Sequence, residues 1–149
     1  MTIRYQHEEI VRTTPELAFA AIDDLPLTSE WLPPCVSLTK HGVGPNTVGD
    51  RLEYVFKQGG KEAKMEGEIV ARVPDEQLHC KYVDRMFDVS VDLRVAKSSG
   101  GTVTTHIIEI TPKTFMARLM SPVIRLGIGK QTREAAKNLK RLLESDTSS

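Results

Sequence analysis

The side chains here best suited to acid–base or metal chemistry are four histidines, His7, His41, His79 and His106. A metal centre needs at least three converging ligands with carboxylate or thiolate help, and nothing in the spacing of these four brings them together. They read as lying on four different strands, so no metal and no cofactor is expected. His7 and Glu9 differ from the others in one respect. Two positions apart on an alternating segment, they share a face. Turned inward, they would form a polar corner of a pocket or a proton-transfer pair, because buried ionisable groups are costly unless paired. With Ile10 inward instead, both would be solvated on an edge strand. The sequence leaves the two parities open.

Other constellations carry less. Glu109 lies between Ile108 and Ile110, and Asp84 with Arg85 sits in a tight turn, but neither has an identifiable partner for acid–base work. No GxSxG elbow is present, which removes support for a hydrolase triad. The glycines of GVGPNTVGD do not lead a strand into a helix, so a phosphate cradle fails on context. Cys35 and Cys80 lack the paired spacing of a zinc or redox motif and read as small, buried or half-buried thiols in a reducing compartment. No catalytic residue is assigned.

Charge and hydropathy exclude further classes. Twenty basic residues balance 20 acidic ones, whereas a nucleic-acid partner needs a basic excess. No apolar run approaches the roughly 18 residues of a membrane span. The opening MTIRYQHEEI alternates and carries charges where a signal peptide needs a continuous apolar stretch, so a cytoplasmic location is expected.

These residues must be positioned by one domain, the expectation for 149 residues of which 40% are hydrophobic and 27% charged. We assign it residues 1–145, with 146–149 as a disordered tail. Residues 3–12 alternate and read as a strand. The TTPE that follows offers a Thr13 or Thr14 cap and Pro15 in the first turn of a helix carrying Leu17, Ala18, Phe19 and Ile22. A second short turn around Ser29 to Leu32 stops at Pro33 and Pro34. From Cys35 on, turn signals at GVGPNTVGD, KQGGKE, VPDEQ, VDR and KSSGGT separate six runs of strand length. Leu52, Tyr54 and Phe56 share a face. Phe87, Val89, Val91, Leu93 and Val95 form a dry face opposite Asp88, Ser90, Asp92 and Arg94. Met65, Gly67, Ile69, Ala71 and Val73 repeat the pattern.

After residues 102–111 the period becomes helical. TPKTFMARLM makes a turn or two, and Ser121 with Pro122 reads as the N-cap and first position of a longer helix to about Glu144. At 100 degrees per residue, Ile124, Ile128, Ala135, Leu139 and Leu142 form one stripe, with Lys130, Arg133, Lys137 and Lys140 across from it. Gln131 and Thr132 lie on or beside that stripe, next to its smallest member, Ala135. Such local thinning hints at a cavity.

Three stretches resemble the START-like or Bet v 1-like superfamily, in particular its bacterial polyketide cyclase/dehydrase and lipid-transport branch. They are TTPELAFAAIDD with Trp31 and Pro33 after it, GPNTVGDRLEY, and ITPKTFMARLMSPVIR leading to NLKRLLES. They span almost the whole chain in the family's order. The resemblance implies an α+β helix-grip fold, a curved antiparallel sheet of about seven strands wrapped around a long C-terminal helix, with two short helices after strand 1. It implies a cavity between sheet and helix. Trp31, Tyr54, Phe56, Tyr82 and Phe87 would be its wall, Met65, Met116 and Met120 adaptable filler, and Ile128, Gln131, Thr132 and Ala135 the helix side.

Fold alone does not choose a function. The expectation is a carrier or sensor of a small, mostly apolar molecule such as a lipid, polyketide or isoprenoid. The alternatives are a polyketide cyclase or dehydratase, with His7, Glu9 and Tyr54 as acid–base candidates, and a protein-interaction module like the family's chaperone regulators. The oxygenase members' iron–sulfur ligands have no counterpart here. Beyond the small molecule, the sequence leaves a homodimer open.

Overall fold

A computed structural model describes residues 2–147 of the chain. The elements run β1 (Ile3–Val11), α1 (Pro15–Asp23), a single 3-10 turn at Leu25–Leu27, α2 (Thr28–Trp31), β2 (Cys35–Lys40), β3 (Arg51–Gln58), β4 (Lys61–Val73), β5 (Gln77–Val83), β6 (Phe87–Ser98), β7 (Gly101–Pro112) and α3 (Phe115–Thr147). All seven strands form one antiparallel sheet in the order β1-β7-β6-β5-β4-β3-β2. This is the helix-grip fold expected from the sequence. The tail expected over 146–149 overlaps the last turn of α3 at 146–147 and otherwise lies outside the described residues.

Local chemistry sets the boundaries. Thr14 caps α1, its Oγ1 accepting from the Leu17 amide at 3.2 Å, and Pro15 follows where no amide donor is needed. The tight β3–β4 turn uses Gly59 and Gly60, both at positive φ. Asp23 ends α1 and is gripped by Arg72 of β4 through two hydrogen bonds of 3.0 and 2.8 Å, with Asn46 donating to it at 2.9 Å. Burial would raise the Asp23 carboxyl, but these donors and the Arg72 charge outweigh it and hold its pKa below the usual value.

Three sequence expectations change here. The β4 face expected to run from Met65 to Val73 breaks at a β-bulge after Ile69. Ile69 pairs with Cys80 on the concave side, whereas Ala71 pairs with His79, whose side chain bonds Ser90 on the convex side. The extra residue flips parity, so Arg72 rather than Ala71 points inward, and that is how it reaches Asp23. The second change concerns α3, which starts at Phe115 and not at Pro122. Thr114 is its cap, with Oγ1 accepting from the Ala117 amide at 3.1 Å. Ser121 caps nothing; its hydroxyl donates back to the Ala117 carbonyl at 3.4 Å. Pro122 sits inside the helix on an exposed position, where the missing amide costs one rung to Arg118 and the freed carbonyl faces water. His41 also lies one residue past β2 and not within a strand.

The C-terminal half of α3 carries the core contacts. Ala135, Ala136, Leu139 and Leu143 are buried on it, with Leu142 packing from the edge of the cluster. Side chains tie it down at three points. Arg133 donates to the Tyr5 hydroxyl at 2.8 Å, Asn138 donates to the Trp31 carbonyl at 3.1 Å, and Lys140 donates to the Ile10 carbonyl at 2.8 Å. Lys140 and the Arg12 amide both donate to Glu144, which pulls that carboxyl down to about 2.

Candidate functional site

The sheet's curvature and the angle of α3 leave a cavity of about 440 Å³ between them, inside the roughly 300–1,000 Å³ range of small-molecule sites. The sheet supplies its floor because the concave residues of β3, β5, β6 and β7 alternate inward. Tyr54 and Phe56, two apart on β3, stack with centroids 5.0 Å apart, and Tyr82 of β5 leans on Tyr54 at 5.4 Å. Gly67 makes that arrangement possible. It sits opposite both Leu52 and Tyr82, and a Cβ there would fall 2.5 Å from a Tyr82 ring carbon. The glycine is a recess for the ring.

Of the residues named from sequence, Trp31, Tyr54, Phe56, Met65, Tyr82 and Phe87 all line this cavity. So do Met120, Ile128, Gln131, Thr132 and Ala135 of α3. Met116 does not: it is exposed on the outer side of the helix. Its position follows from the earlier start of α3, which fixes the rotation of 115–121 together with that of the long stripe. Sequence reasoning left out Leu78 and Cys80 of β5, Ile108 and Ile110 of β7, and above all His106. The signal for them was parity. Thr102, Thr104, His106, Ile108 and Ile110 alternate, and pairing β7 with β1 would have assigned them the face of Val11, Glu9, His7, Tyr5 and Ile3.

The structure also answers the parity of β1. Ile3 and Val11 are buried and Tyr5, His7 and Glu9 half-buried, while Arg4, Gln6, Glu8 and Ile10 face out. His7 Nε2 and Glu9 Oε1 lie 3.0 Å apart. This pair is beside the cavity and does not line it.

Polar groups in the wall are few and unusual. His106 is 2% exposed. Burial, helped by the nearby His7 charge, pushes its pKa down to about 4, so it is neutral near pH 7. Its ring meets Trp31 edge to face at 6.0 Å. Both His106 Nε2 and Trp31 Nε1 are buried with no hydrogen-bond partner among the described residues. Burial, with a smaller contribution from the Cys35 thiol, raises the Tyr54 hydroxyl well above its ordinary value, and burial takes the Cys80 thiol up to about 12. All of these groups are protonated and uncharged, His106 on one nitrogen only. Lys57, Gln58 and Asp84 stand at the margin of the cavity. Among the described residues no three His, Cys, Asp or Glu side chains are grouped to hold a metal ion. No helix there is long and apolar enough to cross a membrane.

Comparison with known proteins agrees with this architecture. The sequence profile of the polyketide cyclase/dehydrase and lipid-transport family matches residues 2–144. No curated protein matches the sequence. Among solved structures, SA2116 from Staphylococcus aureus, a protein of unknown function, is 15% identical with a TM-score of 0.77, covering 100% of this chain and 98% of that one. The di-domain ARO/CYC StfQ from the steffimycin biosynthetic pathway is 11% identical with a TM-score of 0.80, covering 100% of this chain and 53% of StfQ. Ara h 8.0201 is 15% identical with a TM-score of 0.67, covering 97% of this chain and 99% of its own. At these identities the likeness is one of fold.

Proposed function

This chain belongs to the polyketide cyclase/dehydrase and lipid-transport family, and on that premise we propose that it binds one small, mostly apolar molecule in the cavity, as a cytoplasmic carrier or sensor. The observation that carries this reading is the cavity itself, about 440 Å³ and lined mostly by aromatic and aliphatic side chains. Burial of a ligand there would contribute about 25 cal/mol per Å² of apolar contact. A lipid, polyketide or isoprenoid skeleton fits that wall.

The polar groups narrow the ligand further. A buried donor without a partner costs about 1–3 kcal/mol, which a ligand oxygen can recover. Trp31 Nε1 can only donate, and neutral His106 can donate or accept. The matching group is a carbonyl or hydroxyl. An ionised carboxylate at that end would be buried without a cation, since the lining lysine, Lys57, is exposed at the margin. The test is displacement of an environment-sensitive dye by a long-chain ketone and by its parent hydrocarbon. Both should compete, the ketone more tightly. No saturable dye binding, or no displacement by either, would refute the reading.

One observation favours a second reading, a cyclase or dehydratase. His106 presents an Nε2 with no hydrogen-bond partner among the described residues in the wall, and that nitrogen could take a proton from an activated methylene. Its pKa of about 4 makes it a weak base at pH 7. His7 and Glu9 lie beside the cavity, and Tyr54 keeps its proton. Binding therefore ranks first.

A further inference from the structure

The first half of α3 is apolar on two opposite sides. One side, Met120, Ile124 and Ile128, faces the cavity. The other is exposed: Phe115 is 71% accessible, Leu119 59%, Val123 72% and Leu126 86%. At 100 degrees per residue these four fall within an arc of about 80 degrees, with Met116 at its border, so they form one continuous ridge. Isolated exposed leucines are ordinary, but a contiguous ridge of bulky side chains on one helix marks an interaction surface.

The charges around the ridge select the partner. From residue 110 to 133 the chain has no Asp or Glu, while Lys113, Arg118, Arg125, Lys130 and Arg133 all lie in that interval. Lys113 pairs with Asp88 at 3.2 Å and Lys130 with Glu134 at 4.0 Å, which leaves Arg118, Arg125 and Arg133 without an acidic partner among the described residues. Arg118 and Arg125 lie together along one edge of the ridge, beyond Phe115, and make no salt bridge among the described residues. A second copy docked ridge to ridge would bring these cations together with no acid from either segment between them. An anionic lipid surface instead accepts the apolar side chains below its headgroups and the cations among its phosphates. We propose that residues 115–126 of α3 dock this protein on anionic lipid bilayers.

The ridge meets the cavity at Val123, which is exposed and also lines the cavity wall. Docking therefore sets the cavity margin against the lipid phase, from which an apolar molecule would enter or into which it would leave. The surface itself does not depend on what the cavity holds.

The test is co-flotation of the intact chain with vesicles of equal parts phosphatidylglycerol and phosphatidylcholine, against pure phosphatidylcholine, at low salt. The anionic vesicles should retain about tenfold or more of the protein, falling as salt is raised. The double variant L119E/L126E should lose that retention, and R118Q/R125Q should weaken it, with both melting as the parent does. No retention of the parent on anionic vesicles would overturn the proposal. So would retention that survives L119E/L126E, or a concentration-dependent dimer that this variant abolishes while vesicles bind neither form. Ligand displacement is read without vesicles, so failure of one reading leaves the other result visible.

Discussion

Trp31 and His106 meet edge to face with ring centroids 6.0 Å apart and planes at 82°, and each keeps a buried ring nitrogen without a partner among the described residues. Replacing Trp31 with Phe retains most of the ring and removes the N–H. The Asn138 bond to the Trp31 backbone carbonyl does not depend on the side chain. Affinity for a ketone should fall by about 1–2 kcal/mol while affinity for the matching hydrocarbon changes little. Paired dye-displacement titrations check this. Equal losses for both ligands would mean the N–H does not meet the ligand oxygen.

The same burial gives His106 a pH signature. Its folded pKa, about 4, lies below the ordinary 6.5. Between those values the unfolded chain takes up a proton that the folded chain refuses, so stability falls as pH drops from about 6.5 towards 4. At about 1.4 kcal/mol per unit the full loss approaches about 3 kcal/mol. Urea titrations across that range should show the slope, and His106→Leu should flatten it. An unchanged slope in the variant would assign it elsewhere.

Gly67 and Tyr82 are coupled through space that a methyl group would fill. Gly67→Ala should push the Tyr82 ring off its seat, destabilise by about 1–3 kcal/mol and weaken dye binding. Tyr82→Ala in the same chain should make the Gly67 change nearly neutral. A double-mutant cycle by thermal melts measures the coupling, and simple additivity would contradict it.

How much of this was legible beforehand depended on whether a signal was local. Caps, turn glycines and alternation are local, and they made legible a cap at Thr13 or Thr14, of which Thr14 is the one that caps, the KQGGKE turn, and the Phe87–Val95 face. The bulge after Ile69 adds one residue without a marker such as Gly or Pro, so strict alternation carried the β4 face two positions too far. Ser121-Pro122 imitates a helix start, and only the Thr114 cap and the continuous α3 show that Pro122 is internal. Met116 was named as cavity filler on the strength of the resemblance, and the rotation of the continuous α3 turns it outward instead. His106 was missed for another reason: its side chain matters because of Trp31, 75 positions away in sequence and 6.0 Å away in space.

Ala135 separates an open cavity from a filled core. It is buried and lines the cavity. Ala135→Phe should project its ring into the open space and leave the melting temperature unchanged or raised. In a close-packed core the same ring would cost about 1–3 kcal/mol. A thermal melt decides by sign.

The most direct measurement is native mass spectrometry of this chain purified from its own cells, run beside the Ala135→Phe variant. The parent should carry a single small apolar molecule that organic denaturation releases, and the variant, with its cavity filled, should carry much less. A parent that retains no molecule, or a variant that retains as much as the parent, would contradict ligand binding in the cavity between the sheet and α3.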